Sequence, residues 1–212
     1  RKRGIMFTLF TALNNSWCPF FFEDMKQGNR ENLREKAGNF LELFTVLSVG
    51  FVLLASEVYR YVYVSRDFWG STMLIPIFVS SYYTNFLCTF PVNFEYYHKK
   101  TKVVSIITIV SSLINVGLNY LLILRIGMAG AAVATLISHS LQLTLHYLYV
   151  RFALGGKEYP FPLKMWVGYA AVFAAVAVAS VAADGLWLAR WGLGAAVGLW
   201  ELLRIRKRKV LI

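Results

Sequence analysis

Two long apolar runs with almost nothing between them constrain the fold of this chain more than any other feature. The runs cover residues 103–124 and 128–150, and each exceeds the roughly 20 helical residues that cross a bilayer core of about 30 Å. Only Arg125, Ile126 and Gly127 separate them. So short a connection predicts an antiparallel hairpin of two membrane helices.

Small residues mark the start of the second helix of this hairpin. The sequence Ala129-Gly130-Ala131-Ala132 follows Gly127. Small side chains let two helix backbones approach closely, and in lipid such packing drives helix association. We therefore expect close packing of the hairpin where its second helix begins.

Composition places the whole chain among helical membrane proteins. Hydrophobic residues make up 58% of the chain and charged residues 16%, against about 25% charged residues in soluble domains. Because backbone polar groups must pair internally in lipid, the apolar segments are expected to be helices. The predicted fold class is all-α, a polytopic transmembrane helical bundle. Its seven apolar segments are residues 4–22, 40–59, 70–94, 103–124, 128–150, 165–183 and 186–203.

The longest polar stretch, residues 23–39, separates the first two segments. The spacing of Asn29, Leu33 and Ala37 predicts a short interfacial helix there.

Charged residues in or beside the spans are expected to reach water. Glu42, Glu57 and Arg60 lie at or near predicted helix ends, from which their side chains can extend to the interface. Carboxylates are nearly absent from predicted midspan positions. The last segment contains Arg190 and Glu201 and is marginal in length, so an interfacial position is the alternative to a span.

Basic residues predict the orientation of the chain. Loops 23–39, 96–102 and 151–164 together with the C-terminal tail hold 15 of the 22 Lys and Arg residues. The side with this excess is expected to be cytoplasmic, and the C-terminus lies on it. The net charge of +11 is therefore explained by membrane topology, and we expect no nucleic-acid partner.

Polar side chains form stripes along several spans, where they are costly in lipid. Four residues on the fourth segment and four on the fifth recur at helical spacing. Such stripes either line a polar pathway or bridge neighbouring helices as packing contacts. The pathway candidates are Asn14, Asn15, Asn85, Ser112, Asn115, Asn119, Thr135, His139 and Gln142, and Thr108 and His146 complete the two stripes.

The sequence of the hairpin resembles that of a known family. An Asn-x-x-x-Asn helix, then IGMAGAAVATLIS, then a hydrophobic helix ending in Tyr and Arg is similar to the second lobe of polysaccharide flippases of the multidrug/oligosaccharidyl-lipid/polysaccharide exporter superfamily. The resemblance covers about residues 5–152, and residues 153–212 would add further C-terminal helices with a basic tail. It implies one lobe of about seven helices from a two-lobe exporter whose N-terminal lobe lies outside this chain. The first residue, Arg1, also leads us to expect a fragment.

The resemblance implies a function and its partners. A flippase of this kind moves an undecaprenyl-pyrophosphate-linked glycan across the bacterial cytoplasmic (inner) membrane, in contact with membrane lipids, as two lobes rock about a central cavity. Three lysines beside the fourth segment could draw the pyrophosphate headgroup to the cavity mouth, besides their role in topology. These lysines are Lys99, Lys100 and Lys102.

No cofactor or metal is expected, because the sequence contains no cluster with metal-ligand spacing. Coupling to a proton or a sodium gradient remains open. His139 lies at midspan, which suggests a part in proton-linked transport, with a neutral histidine satisfied by neighbouring hydroxyls as the alternative.

Other functions stay open at this stage. A multidrug or peptidoglycan-precursor exporter of the same superfamily is one alternative, although a drug exporter usually needs intramembrane carboxylates. A membrane-embedded glycan polymerase or ligase is another. The chain is not expected to be an enzyme, because the longest predicted external loop, residues 60–69, is short. A degenerate half-protein is the last alternative.

Overall fold

The computed structural model describes residues 5–58, 72–156, 158–182 and 186–208. These ranges contain seven α-helices and no strand, which confirms the predicted all-α class. The helices are α1 (Ile5–Gln27), α2 (Arg30–Val58), α3 (Ile75–Tyr97), α4 (Thr101–Ile126), α5 (Met128–Leu148), α6 (Leu163–Ala182) and α7 (Trp187–Arg208).

Five of the described helical stretches are long and apolar enough to cross a membrane. They belong to α2, α3, α4, α5 and α6, and they extend over Arg30–Ser56, Thr72–Tyr97, Thr101–Ile126, Met128–Ala153 and Leu163–Val181. The first and last predicted segments form α1 and α7, which are not among the five. The chain is therefore built as a bundle of membrane-spanning helices.

The α4–α5 hairpin forms as predicted. Gly127 joins the two helices with a φ of +61°, a backbone conformation that glycine adopts without steric cost. A Cβ on Gly130 would collide with the carbonyl group of Leu122 and would lie 2.7 Å from the backbone nitrogen of Ile123. The two helices thus touch backbone to backbone where α5 begins.

The polar stretch 23–39 does not form a separate interfacial helix, so that prediction was wrong. Helix α1 continues to Gln27, Gly28 turns the chain with a φ of +72°, and α2 begins at Arg30. Asn29 caps α2, because its side-chain oxygen accepts a hydrogen bond from the backbone N–H of Asn32. The polar residues simply extend two long helices.

This extension also changes the place of Glu42. Because α2 begins at Arg30, ten residues before the predicted start of this segment, Glu42 lies well inside the helix and is 6% exposed. The expectation that Glu42 reaches water from a helix end was therefore wrong. The structure of Arg60 and the side chain of Glu57 lie outside the described residues.

Arg190 attaches the last helix to the bundle. It lies near the start of α7, is 4% exposed, and donates a hydrogen bond from Nη2 to the carbonyl oxygen of Val52 on α2 at 3.3 Å. Helix α7 packs mainly against α2.

Aromatic rings fill the core around α3. The rings of Phe44 on α2 and Phe86 on α3 stack at 4.1 Å, and those of Tyr83 on α3 and Phe173 on α6 stack at 4.4 Å. Trp17 on α1 lies 5.3 Å from the ring of Phe90 on α3. These contacts tie α1, α2, α3 and α6 into one core, with α4 outside it.

Three connections meet at one end of the bundle, which we call the loop end (residues 23–34, 96–100, 154–156 and 158–162). Arg34 donates from Nε to the carbonyl oxygen of Pro160 at 3.0 Å. Tyr97 donates from its hydroxyl to the carbonyl oxygen of Met25 at 3.3 Å. The loops predicted to share one side of the membrane therefore lie together.

Candidate functional site

Polar side chains join α4 to α5 along the hairpin. Asn115 donates from Nδ2 to the hydroxyl of Ser138 at 3.2 Å. Gln142 donates from Nε2 to the hydroxyl of Thr108 at 3.4 Å. Asn119 donates from Nδ2 to both the backbone and the side-chain oxygen of Asn115, each at 2.9 Å. We call these five residues the α4–α5 seam.

The seam lies at the surface of the described chain. Of all the residues of α4, only Val104 and Ser111 are buried. Thr108 is exposed, and Asn115, Asn119 and Gln142 are partly exposed. The seam thus has spare polar atoms on an accessible face.

Two of the predicted pathway residues bond within their own helices. Exposed Ser112 donates to the carbonyl oxygen of Thr108 at 2.8 Å, and half-buried Thr135 donates to that of Ala131 at 2.8 Å. Both residues flank the seam without adding a contact between α4 and α5.

His139 faces α3 instead of the seam. Its Nδ1 lies 2.9 Å from the carbonyl oxygen of Ser81. A backbone carbonyl only accepts hydrogen bonds, so Nδ1 carries the proton here. The ring of His139 is thus held by a backbone carbonyl of α3, whereas the alternative to a proton-linked role had expected neighbouring hydroxyls.

The remaining candidates lie on other helices. Asn14 on α1 is half-buried, and its side-chain oxygen lies 3.9 Å from the sulfur of Cys18 in the same helix. Asn15 is exposed on α1, and Asn85 is half-buried on α3. Within the described residues, no side-chain hydrogen bond links these asparagines to the seam.

The three lysines lie at the loop end. Lys99, Lys100 and Lys102 are exposed around the turn from α3 to α4, where Lys99 has a φ of +58°. Their positions leave the ammonium groups open to water, as attraction of a phosphate headgroup requires.

A buried acid–base pair was missed by the sequence analysis. Oε1 of Glu95, near the end of α3, lies 2.8 Å from Nδ1 of His146, near the end of α5. Neither side chain has any exposed surface. The sequence gives little sign of this, because Glu95 precedes Tyr96 and Tyr97 and resembles a residue of a helix end.

Tyr159, in the connection between α5 and α6, lies among aromatic rings and interacts electrostatically with Glu95 of this pair. Tyr159 packs its ring 5.1 Å from that of Phe94 and 6.5 Å from that of Tyr147. Its buried hydroxyl has no hydrogen-bond partner among the described residues. Burial raises the pKa of Tyr159 well above 10, and the neighbouring Tyr147, Cys88 and Glu95 raise that pKa further.

Part of the chain is similar to a known membrane protein. No family model matches the chain. Over 114 residues, the chain is 28% identical to an uncharacterized membrane protein of Haemophilus influenzae. The chain is a multi-pass membrane protein. The match covers 53% of this chain but only 28% of the relative, so the chain spans little more than a quarter of that protein's length.

Proposed function

We propose that this chain belongs to a transporter that moves lipid-linked oligosaccharide across the bacterial cytoplasmic membrane by alternating access. The single observation that supports the proposal is the α4–α5 seam, in which the amides of Asn115, Asn119 and Gln142 lie on a membrane hairpin. Polar groups inside membrane spans are costly and mark substrate pathways.

The chemistry of the seam suits a glycan headgroup. Amides and hydroxyls both donate and accept hydrogen bonds, as sugar hydroxyls do. Asn115 and Gln142 each use one donor across the helix pair, and each amide has further donors and acceptors. The sugar headgroup would pass along the seam while the lipid tail stays in the bilayer.

The opposite wall of the pathway would come from a second lobe outside this chain. Helix α4, with only two buried residues, offers the surface for it. In this arrangement Lys99, Lys100 and Lys102 lie at the cytoplasmic mouth and attract the pyrophosphate, and the C-terminus is cytoplasmic.

A second candidate is a multidrug exporter of the same superfamily. The near-absence of carboxylates from predicted midspan positions counted against this candidate. Yet Glu42 and Glu95 are both buried in membrane-spanning helices, and buried carboxylates suit coupling to cations.

Transport assays on the intact protein in liposomes separate the candidates. A fluorescent, short-chain undecaprenyl-pyrophosphate oligosaccharide is added, and its transfer between leaflets is followed by quenching from outside. Protein-dependent transfer supports the proposal. Efflux of a cationic dye without glycan-lipid transfer favours the multidrug exporter, and a lengthened glycan product favours the polymerase.

A further inference from the structure

We infer that Glu95 and His146 form a proton-binding site, which the loop end closes off from water in this conformation. The inference rests on the proposed transport function, because it gives the transporter its coupling ion. It replaces His139, whose Nδ1 faces the carbonyl oxygen of Ser81.

The pair is built to hold one proton. Oε1 of Glu95 and Nδ1 of His146 lie 2.8 Å apart, so a proton between them bonds to both. With that proton, the pair is neutral overall, as either carboxylate and imidazolium or acid and imidazole. Without it, one negative charge stays buried. A buried net charge is costly, and one proton held by the pair removes that charge.

Both members also have unused polar atoms. Oε2 of Glu95 and Nε2 of His146 are buried and have no hydrogen-bond partner within the described residues. The same holds for the hydroxyl of Tyr159 and Nε1 of Trp166, whose rings lie 6.0 Å apart. Such atoms need water or a mobile proton donor in another conformation.

No fixed positive charge neutralises the carboxylate among the described residues, where His146 is the only basic side chain that pairs with Glu95. The other titratable groups around the pair are Cys88, Tyr147 and Tyr159. The nearby Arg34 of α2 is engaged with the carbonyl oxygen of Pro160. The charge of the pair therefore depends on its proton.

A second Glu–His pair lies toward the water. Nε2 of His98 lies 3.8 Å from Oε2 of Glu158, with side chains that are 25% and 61% exposed. The ring of Phe94 lies 4.3 Å from that of His98 and 5.1 Å from that of Tyr159. Phe94 thus connects His98 of the outer pair to Tyr159, which interacts electrostatically with Glu95 of the inner pair. Movement of these rings would let a proton pass.

Infrared difference spectroscopy tests this without any transported molecule. The intact protein in lipid is titrated between about pH 5 and about pH 8, the range in which histidines respond. We expect carboxyl and imidazole bands that change together at one midpoint. Glu95→Gln should abolish the carboxyl change, and His146→Gln should move its midpoint by about one pH unit or more. The control Glu35→Gln, on an exposed residue, should leave both bands unchanged.

The result that overturns the inference is equally direct. If the double variant Glu95→Gln, His146→Gln gives the native difference spectrum, the pair is a static packing contact. If Glu95→Gln does not fold, His146→Gln alone tests the inference, because an unchanged midpoint of the carboxyl band in this variant would also overturn the inference. If the infrared test overturns this inference, the transfer of glycan lipid can still be measured on its own. If the native protein does not transfer glycan lipid, the infrared bands of Glu95 and His146 are still expected to change.

Discussion

The backbone of Leu122 on α4 occupies the space that a side chain at Gly130 on α5 would need. This contact lies next to the turn at Gly127 and fixes how the hairpin closes. It therefore also sets the spacing of the seam farther along the two helices.

Gly130→Ala should weaken the hairpin. The added methyl group meets backbone that cannot rotate away, so we expect a loss of about 1–3 kcal/mol in stability. The matched control is Gly117→Ala on α4, where a Cβ meets nothing within 4 Å. Thermal unfolding in detergent measures the stability of both variants. Equal melting temperatures for the two variants would contradict the close contact.

Removal of the carboxyl group of Glu95 should destabilise the protein strongly. Glu95→Ala leaves His146 buried without its partner, and breaking a buried pair in this way costs about 3–5 kcal/mol. Glu35→Ala removes an exposed carboxylate and should change stability by less than about 0.5 kcal/mol. The account fails here if urea or thermal unfolding shows the same stability for both.

Alkaline pH should act through Tyr159. Its pKa is raised by burial, so the neutral phenol stabilises the native state below about pH 10. That contribution is lost as the pH rises above this value, because the unfolded chain then releases the proton more readily. The Tyr159→Phe variant should therefore lose less stability than the native protein loses when the pH rises above about 10. Tyr120→Phe, at a residue that is 70% exposed, should behave like the native protein.

Neutralising the lysines of the loop end should weaken capture of the substrate. We expect the triple variant Lys99→Gln, Lys100→Gln, Lys102→Gln to raise KM at least about fivefold, since each lysine near an anionic surface contributes about 1 kcal/mol. The maximal rate should change little. High salt should remove the difference from the native protein. A salt-independent loss of maximal rate would instead indicate a structural role.

The sequence predicted the helices well because hydrophobic run length is a strong local signal. It also predicted the hairpin, and it placed Asn115 on a polar stripe of α4, since helical spacing determines which side chains share a face. The burial of Glu42 and Glu95 was not predicted from the sequence. Burial depends on which helices pack together, and both residues lie near the ends of the predicted apolar segments, where a carboxylate is ordinarily expected to reach water. The contact of His139 with α3 could not be predicted for the same reason.

Transfer of the fluorescent glycan lipid by Asn115→Leu tests the central claim most directly. This variant keeps the size of the side chain and removes its donors, and loss of one such hydrogen bond in the rate-limiting state lowers the rate about tenfold. The control Thr144→Val changes an exposed residue whose hydroxyl donates to the carbonyl oxygen of Ser140 in its own helix. We predict that Asn115→Leu, folded and inserted, loses about tenfold in transfer rate while Thr144→Val retains the native rate. Native transfer by Asn115→Leu would contradict a pathway along the α4–α5 seam.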